Sequence, residues 1–180
     1  LYMDSEEPIL GSHLLCTLPV PQFTDLLEAS PLSITAHEHT TLKQVVYERT
    51  LTLLAELDGP SGLEGNGYVR ASSSGILETL IDQHQKSISA AHTLVANAKP
   101  AFSMEWYDRD RTSAASVIRA AVQEKICSQI ISVQIHGWKF AKAVQRISKP
   151  YMSLENKCIL AGDGFEAGDH LEATGNLATL

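Results

Sequence analysis

Apolar and polar positions along the chain change in short blocks, and the period of each block predicts its element. Ser12-His-Leu-Leu-Cys-Thr-Leu18 is an apolar run of strand type, closed by Pro19-Val20-Pro21. Proline at position 21 suits the first turn of a helix, where its missing N–H has no intrahelical partner to lose, so residues 22–29 are expected to be helical until Ser30-Pro31 breaks the pattern. Past Thr35 a polar segment rises through Leu42-Lys-Gln-Val-Val46, predicted as a short helix, into the β-tolerant stretch 49–55. Asp58-Gly-Pro-Ser-Gly-Leu-Glu-Gly-Asn-Gly67 is read as a surface loop. Residues 68–71, 76–81 and 93–98 then read as strands of a meander. The clearest helix is 114–127, whose apolar Val117, Ile118, Ala121, Val122 and Ile126 share one face of a 3.6-residue period. A strand follows from Ile130, with Ile131, Val133 and Ile135 on one side and Gln134, His136, Trp138 and Phe140 on the other.

The last quarter of the chain has the densest chemistry. Cys158, Ile159, Leu160 and Ala161 form a continuous apolar run, as a strand covered on both faces requires. Gly162 and Gly164 flank Asp163 and permit backbone angles and close approach that a Cβ would block. Residues 171–180 have helix-compatible composition, so a helix start would aim free backbone N–H groups at whatever lies above the strand end. Gly162-x-Gly164-x-x-Ala167 fits the Rossmann fingerprint on paper. That reading also needs a helix, a second strand and an acidic residue roughly 20 positions on, and the chain stops at Leu180.

Composition narrows the function classes. A formal net charge of −7 over 180 residues argues against a nucleic-acid surface, and the basic cluster Lys139, Lys142, Arg146 and Lys149 is local. No apolar run is long enough for a membrane span. Cys16, Cys127 and Cys158 lack C-x-x-C spacing and read as buried free thiols of a reducing compartment, which favours the cytoplasm. His37-Glu38-His39 offers two histidines at i, i+2 without a third ligand, so surface residues are expected there and no metal. Ser72-Ser-Ser-Gly75 lacks the G-x-S-x-G of a nucleophile elbow. The chain opens on Leu1 and closes within an apparent helix, and is read as an excerpt of a longer protein.

Ala161-Gly162-Asp163 followed by the acidic-small pair Glu172-Ala173 resembles the carboxy-terminal flavin motif of FAD-dependent amine oxidoreductases. Leu14-Leu-Cys-Thr-Leu-Pro-Val-Pro-Gln22 together with Gly162-Asp163-Gly164-Phe165 looks like renalase and the renalase-like members of that group, over essentially the whole chain but only the carboxy-terminal half or so of a complete member. The resemblance implies an α+β fold: a mostly antiparallel substrate-domain sheet with helices, plus the carboxy-terminal strand-helix of a Rossmann-like FAD-binding domain. Residues 1–21 and 157–180 would belong to the FAD-binding domain and 22–156 to the substrate domain, with the pyrophosphate-binding G-x-G-x-x-G upstream of this chain.

The implied cofactor is FAD, and the implied reaction is hydride transfer from a dihydronicotinamide dinucleotide to the flavin, with dioxygen as acceptor and hydrogen peroxide as product. An amine substrate, as in an amine oxidase of the same superfamily, is the neighbouring expectation; a non-catalytic binding module is the other. Pro19, Gly162, Asp163, Gly164, Phe165, His170, Leu171 and Glu172 are the implied cofactor-side residues, with Asp163 bonding the ribityl or phosphate-linked region. Trp138 and Lys139 match the family's tryptophan-basic pair near the pocket, and His136 completes the candidate catalytic set. The same three residues also read as a core indole, a solvated lysine and a satisfied sheet histidine.

Overall fold

The computed structural model describes residues 11–71, 75–154 and 157–166. Within them the chain runs β1 (Leu14–Cys16), α1 (Val20–Glu28), α2 (Ala36–Leu42), β2 (Val46–Leu57), β3 (Tyr68–Arg70), β4 (Leu77–Asp82), β5 (Thr93–Ala98), α3 (Pro100–Trp106), α4 (Arg111–Gln123), β6 (Ile130–Gln145), β7 (Tyr151–Leu154) and β8 (Cys158–Ala161). The architecture is mixed α+β, as the sequence predicts. The helix expected over 171–180 lies outside the described residues. The chain forms two compact units, one of residues up to Tyr47 and from Lys142 onward, the other Glu48–Ala141.

The first unit is built on a three-stranded sheet ordered β1-β8-β7. The apolar run 158–161 takes the central position, where both of its edges are hydrogen-bonded: β1 runs parallel to it, with Leu14 opposite Cys158 and Cys16 opposite Leu160, and β7 antiparallel. Pro19 is the N-cap of α1 and Pro21 its second residue, so the missing N–H interrupts no helical bond. Helix α1 turns Val20, Phe23 and Leu27 inward, at i, i+3 and i+7, onto Cys16, Cys158, Leu160 and Phe165. Helix α2 starts where the polar segment from Thr35 is expected to turn helical but stops at Leu42 and does not run on to Val46, which opens β2. Thr35 and Glu38 start it with a reciprocal capping box, the Glu38 N–H donating to Thr35 Oγ1 at 3.2 Å and the Thr35 N–H to Glu38 Oε2 at 2.7 Å. The middle residue of His37-Glu38-His39 is thereby engaged in starting a helix.

The second unit holds a five-stranded sheet ordered β3-β4-β5-β2-β6, with the β3–β4, β4–β5 and β5–β2 pairs antiparallel. Strand β2 alternates as a period of two demands: Leu51, Leu53, Ala55 and Leu57 go to the core, while Leu54 and Glu56 are exposed. Helix α4 packs against β4 and β5 through Ala114, Ala115, Ile118 and Val122. Val117, expected on the buried face, is exposed. At 3.6 residues per turn Ala114, Ala115, Ile118 and Val122 fall within one arc of about 100°, and Val117 lies outside it. Helix α3 begins with Pro100 as its first residue. Strand β6 extends to Gln145, at the edge of the sheet. Cys16 and Cys158 are buried free thiols, but Cys127 is exposed, because its position after the end of α4 leaves its side chain outside both cores.

The glycine-rich loop before β3 is not wholly superficial. Ser61 is fully buried and its hydroxyl donates to Asp82 Oδ2, while Oδ1 accepts from the Gln85 N–H at 2.9 Å. Burial pushes the Asp82 carboxyl up, but the bonds from Ser61, Gln85 and His84 outweigh it and hold its pKa below the usual carboxylate range. A folded-state pKa below the unfolded one means stability that is present above the unfolded value, about 4, and lost as pH falls through the folded value. Asp82→Asn is therefore expected to lower the urea midpoint at neutral pH, with the gap from wild type closing as the buffer is taken to about pH 3. A gap that widens on acidification contradicts the assignment.

Candidate functional site

Because β1 and β8 are parallel, their carboxyl ends lie on the same edge of the sheet. Strand β1 leaves that edge through Thr17, Leu18 and Pro19 into α1; β8 leaves it through Gly162-Asp163-Gly164-Phe165. Gly162 has φ +122°, and a Cβ there would lie 3.4 Å from the Thr17 carbonyl oxygen. At Gly164 a Cβ would come within 2.8 Å of Val20 Cγ2 and 3.1 Å of Tyr47 Oη. The close approach that both glycines permit is therefore to the chain itself. The Phe165 N–H closes the turn on the Gly162 carbonyl at 3.1 Å, and the Ile147 N–H bonds the Gly164 carbonyl at 2.9 Å. Phe165, 2% exposed, anchors the turn in the core.

Tyr47, at the start of β2, carries the polar side of this arrangement and was not a candidate on sequence grounds. Its hydroxyl accepts from the Val20 N–H at 3.2 Å, the first N–H of α1, and donates to Asp163 Oδ1 at 3.1 Å. Burial pushes the phenol up to about 12, with the Asp163 charge adding to the rise and the Val20 N–H and Arg146 opposing it. At neutral pH Tyr47 is thus a fixed donor. Asp163 is exposed, and its Oδ2 has no hydrogen-bond partner among the described residues. The result is an oriented carboxylate at the carboxyl edge of two parallel strands, the edge where open α/β sheets take their ligands.

Five of the sequence candidates, Pro19, Gly162, Asp163, Gly164 and Phe165, come together in the first unit. His170, Leu171 and Glu172 lie outside the described residues. His136, Trp138 and Lys139 belong to the second unit, on β6. Trp138 is 53% exposed, so it is not a core indole, and the His136 ring meets it edge-on at 4.4 Å between centroids. Lys139 Nζ lies 5.2 Å from the Phe140 ring centroid. The same sheet carries a polar ladder that sequence reasoning missed: Thr52 Oγ1 donates to Asn97 Oδ1 at 2.7 Å, and Asn97 Nδ2 donates to Thr79 Oγ1 at 2.9 Å, across β2, β5 and β4. Thr52 is 3% exposed, which makes these bonds necessary. A groove of about 360 Å³ is lined by Leu54, Glu56, Val95, Ser132 and Gln134, with the Ser132 hydroxyl donating to Glu56 Oε2 at 3.0 Å.

Among the described residues no helix is long and apolar enough to cross a membrane. No family model and no curated protein matches the chain. Among solved structures, the chain is similar to one described as a "Putative protoporphyrinogen oxidase" from Exiguobacterium sp. 255-15, with a TM-score of 0.56, 14% identity and 93% of this chain covered. At that identity the likeness is one of fold alone. The chain spans 39% of the length of the Exiguobacterium protein.

Proposed function

We propose that this chain is the carboxy-terminal part of an FAD-dependent oxidoreductase of the renalase kind, with a dihydronicotinamide dinucleotide as hydride donor and dioxygen as acceptor. One observation carries the reading: the Pro19 turn and the Gly162–Phe165 turn, far apart in sequence, meet at the carboxyl ends of β1 and β8 and hold an exposed, oriented carboxylate there. The fold shared with the Exiguobacterium protein, whose description names a putative oxidase, supports it.

FAD supplies a hydride acceptor that hands two electrons on to dioxygen, releasing hydrogen peroxide. The protein's part is to bind and orient. A carboxylate accepts hydrogen bonds from hydroxyls and repels phosphate, so Asp163 fits the hydroxyl-bearing ribityl or ribose portion of the cofactor rather than its pyrophosphate. The first unit, residues up to Tyr47 and from Lys142 onward, is assigned to the cofactor domain, and the second, Glu48–Ala141, to the substrate domain. Trp138 offers an exposed indole face for a planar ring, with His136, two residues back on the same face of β6, setting the indole's edge, while Lys139 is a cation on the same strand.

A second reading keeps the cofactor and changes the substrate to an amine or a porphyrinogen, the latter suggested by the name given to the Exiguobacterium protein. Peroxide release by protein from the complete reading frame, loaded with FAD, separates the two. Release with isomeric dihydronicotinamides and not with amines or porphyrinogens is the expected result. Release with an amine or a porphyrinogen alone transfers the assignment to the second reading.

A further inference from the structure

The carboxylate of Asp163 sits on an exposed turn, where χ1 has its staggered wells open to it and χ2 turns over a broad range. One contact selects among those wells. Tyr47 Oη is itself held on two sides: it accepts from the Val20 N–H at 3.2 Å, and its ring packs against the core cluster of the first unit. The donor's position is thus set by helix and core together.

We infer that Tyr47 is a positioning residue of the cofactor turn: its hydroxyl fixes the Asp163 carboxylate through Oδ1, leaving Oδ2 to accept from a hydroxyl of the bound cofactor. The inference rests on the FAD reading above. Fixing a side chain before its ligand arrives removes an ordering cost from the binding step, which is how a residue that touches no ligand raises affinity. The raised phenol pKa keeps the proton on Tyr47 throughout the working pH range, so the bond to Asp163 is available whenever the carboxylate is ionised. It also explains why glycine is needed at 164: a methyl group there would press on the tyrosine oxygen as well as on Val20.

The test is a double-mutant cycle on protein from the complete reading frame, titrated with FAD and read by quenching of flavin fluorescence. Tyr47→Phe removes the hydroxyl and keeps the ring. It is expected to weaken FAD binding about tenfold, the loss that follows from one charge-assisted hydrogen bond. In the Asp163→Ala background the same substitution is expected to change affinity by less than about twofold, because the group it positions is gone. Wild-type affinity in Tyr47→Phe overturns the inference. So does an equal loss in both backgrounds, which marks Tyr47 as structural. Failure of the wild-type protein to bind FAD at all overturns the FAD reading itself, an outcome distinct from either.

Discussion

Replacing Phe23 by alanine is expected to destabilise the protein by about 3–5 kcal/mol, the usual range for deleting a buried aromatic ring. Phe23 is 0% exposed and lies one turn into α1, in a cluster with Cys16, Val20, Leu27, Cys158, Leu160 and Phe165. Its neighbours belong to two hydrogen-bonded strands and a closed turn, so little can move in to fill the space, and the cost is expected at the upper end of the range. Its own N–H bonds the Pro19 carbonyl at 3.1 Å, so the ring and the helix start are coupled. Loosening α1 also loosens the Val20 N–H that holds Tyr47. Urea unfolding at 25 °C measures the effect, with Leu26→Ala as a control: Leu26 is on the exposed side of the same helix, and its loss is expected to cost no more than about 1 kcal/mol. Equal costs at the two positions contradict the burial of Phe23.

Gly164→Ala is the second large effect, expected to cost about 1–3 kcal/mol and to weaken cofactor binding with it. The new methyl would meet Val20 Cγ2 at 2.8 Å, Tyr47 Oη at 3.1 Å and Val45 Cγ1 at 3.4 Å, so three packed groups must give way together. None is the free end of a long flexible side chain. Gly11→Ala serves as the reference, since its nearest contact is the His13 carbonyl at 3.5 Å; a change within about 0.5 kcal/mol is expected there. A Gly164→Ala protein as stable as Gly11→Ala removes the packing argument for the turn.

Much of the fold is legible in the sequence because local period reports it. The apolar run 158–161 is a central strand, the prolines at 19 and 21 open α1, and the three strands of the meander fall within a residue or two of their expected places. The failures share a cause: a period says which side of an element is apolar, not what faces it. Val117 neighbours Ile118 and joins an apolar stripe read from composition, but the face that α4 turns to β4 and β5 runs through Ala114, Ala115, Ile118 and Val122 and leaves it outside. The segment from Thr35 gives the start of α2 correctly, where Thr35 and Glu38 cap it, but the apolar pair Val45-Val46 draws the pattern past its end at Leu42. Helix α3 and strand β7 are too short, at seven and four residues, to establish a period at all.

The candidate site divides along the same line. Gly162, Asp163 and Gly164 announce a turn after a strand, and the structure supplies that turn. Tyr47 has no neighbouring motif; its role comes from a bond to a residue 116 positions away, which no local pattern encodes. The Thr52–Asn97–Thr79 ladder is similarly invisible, because each member sits alone in its own strand and the three meet only through sheet register.

The measurement that bears most directly on the central claim is FAD binding by protein from the complete reading frame, followed by quenching of flavin fluorescence on titration. Saturable quenching by the wild-type protein is expected, with a clear loss of affinity in Asp163→Ala, which removes the exposed carboxylate at the strand ends. Flavin fluorescence that stays unchanged across the titration, or an Asp163→Ala protein that binds as tightly as wild type, would contradict it.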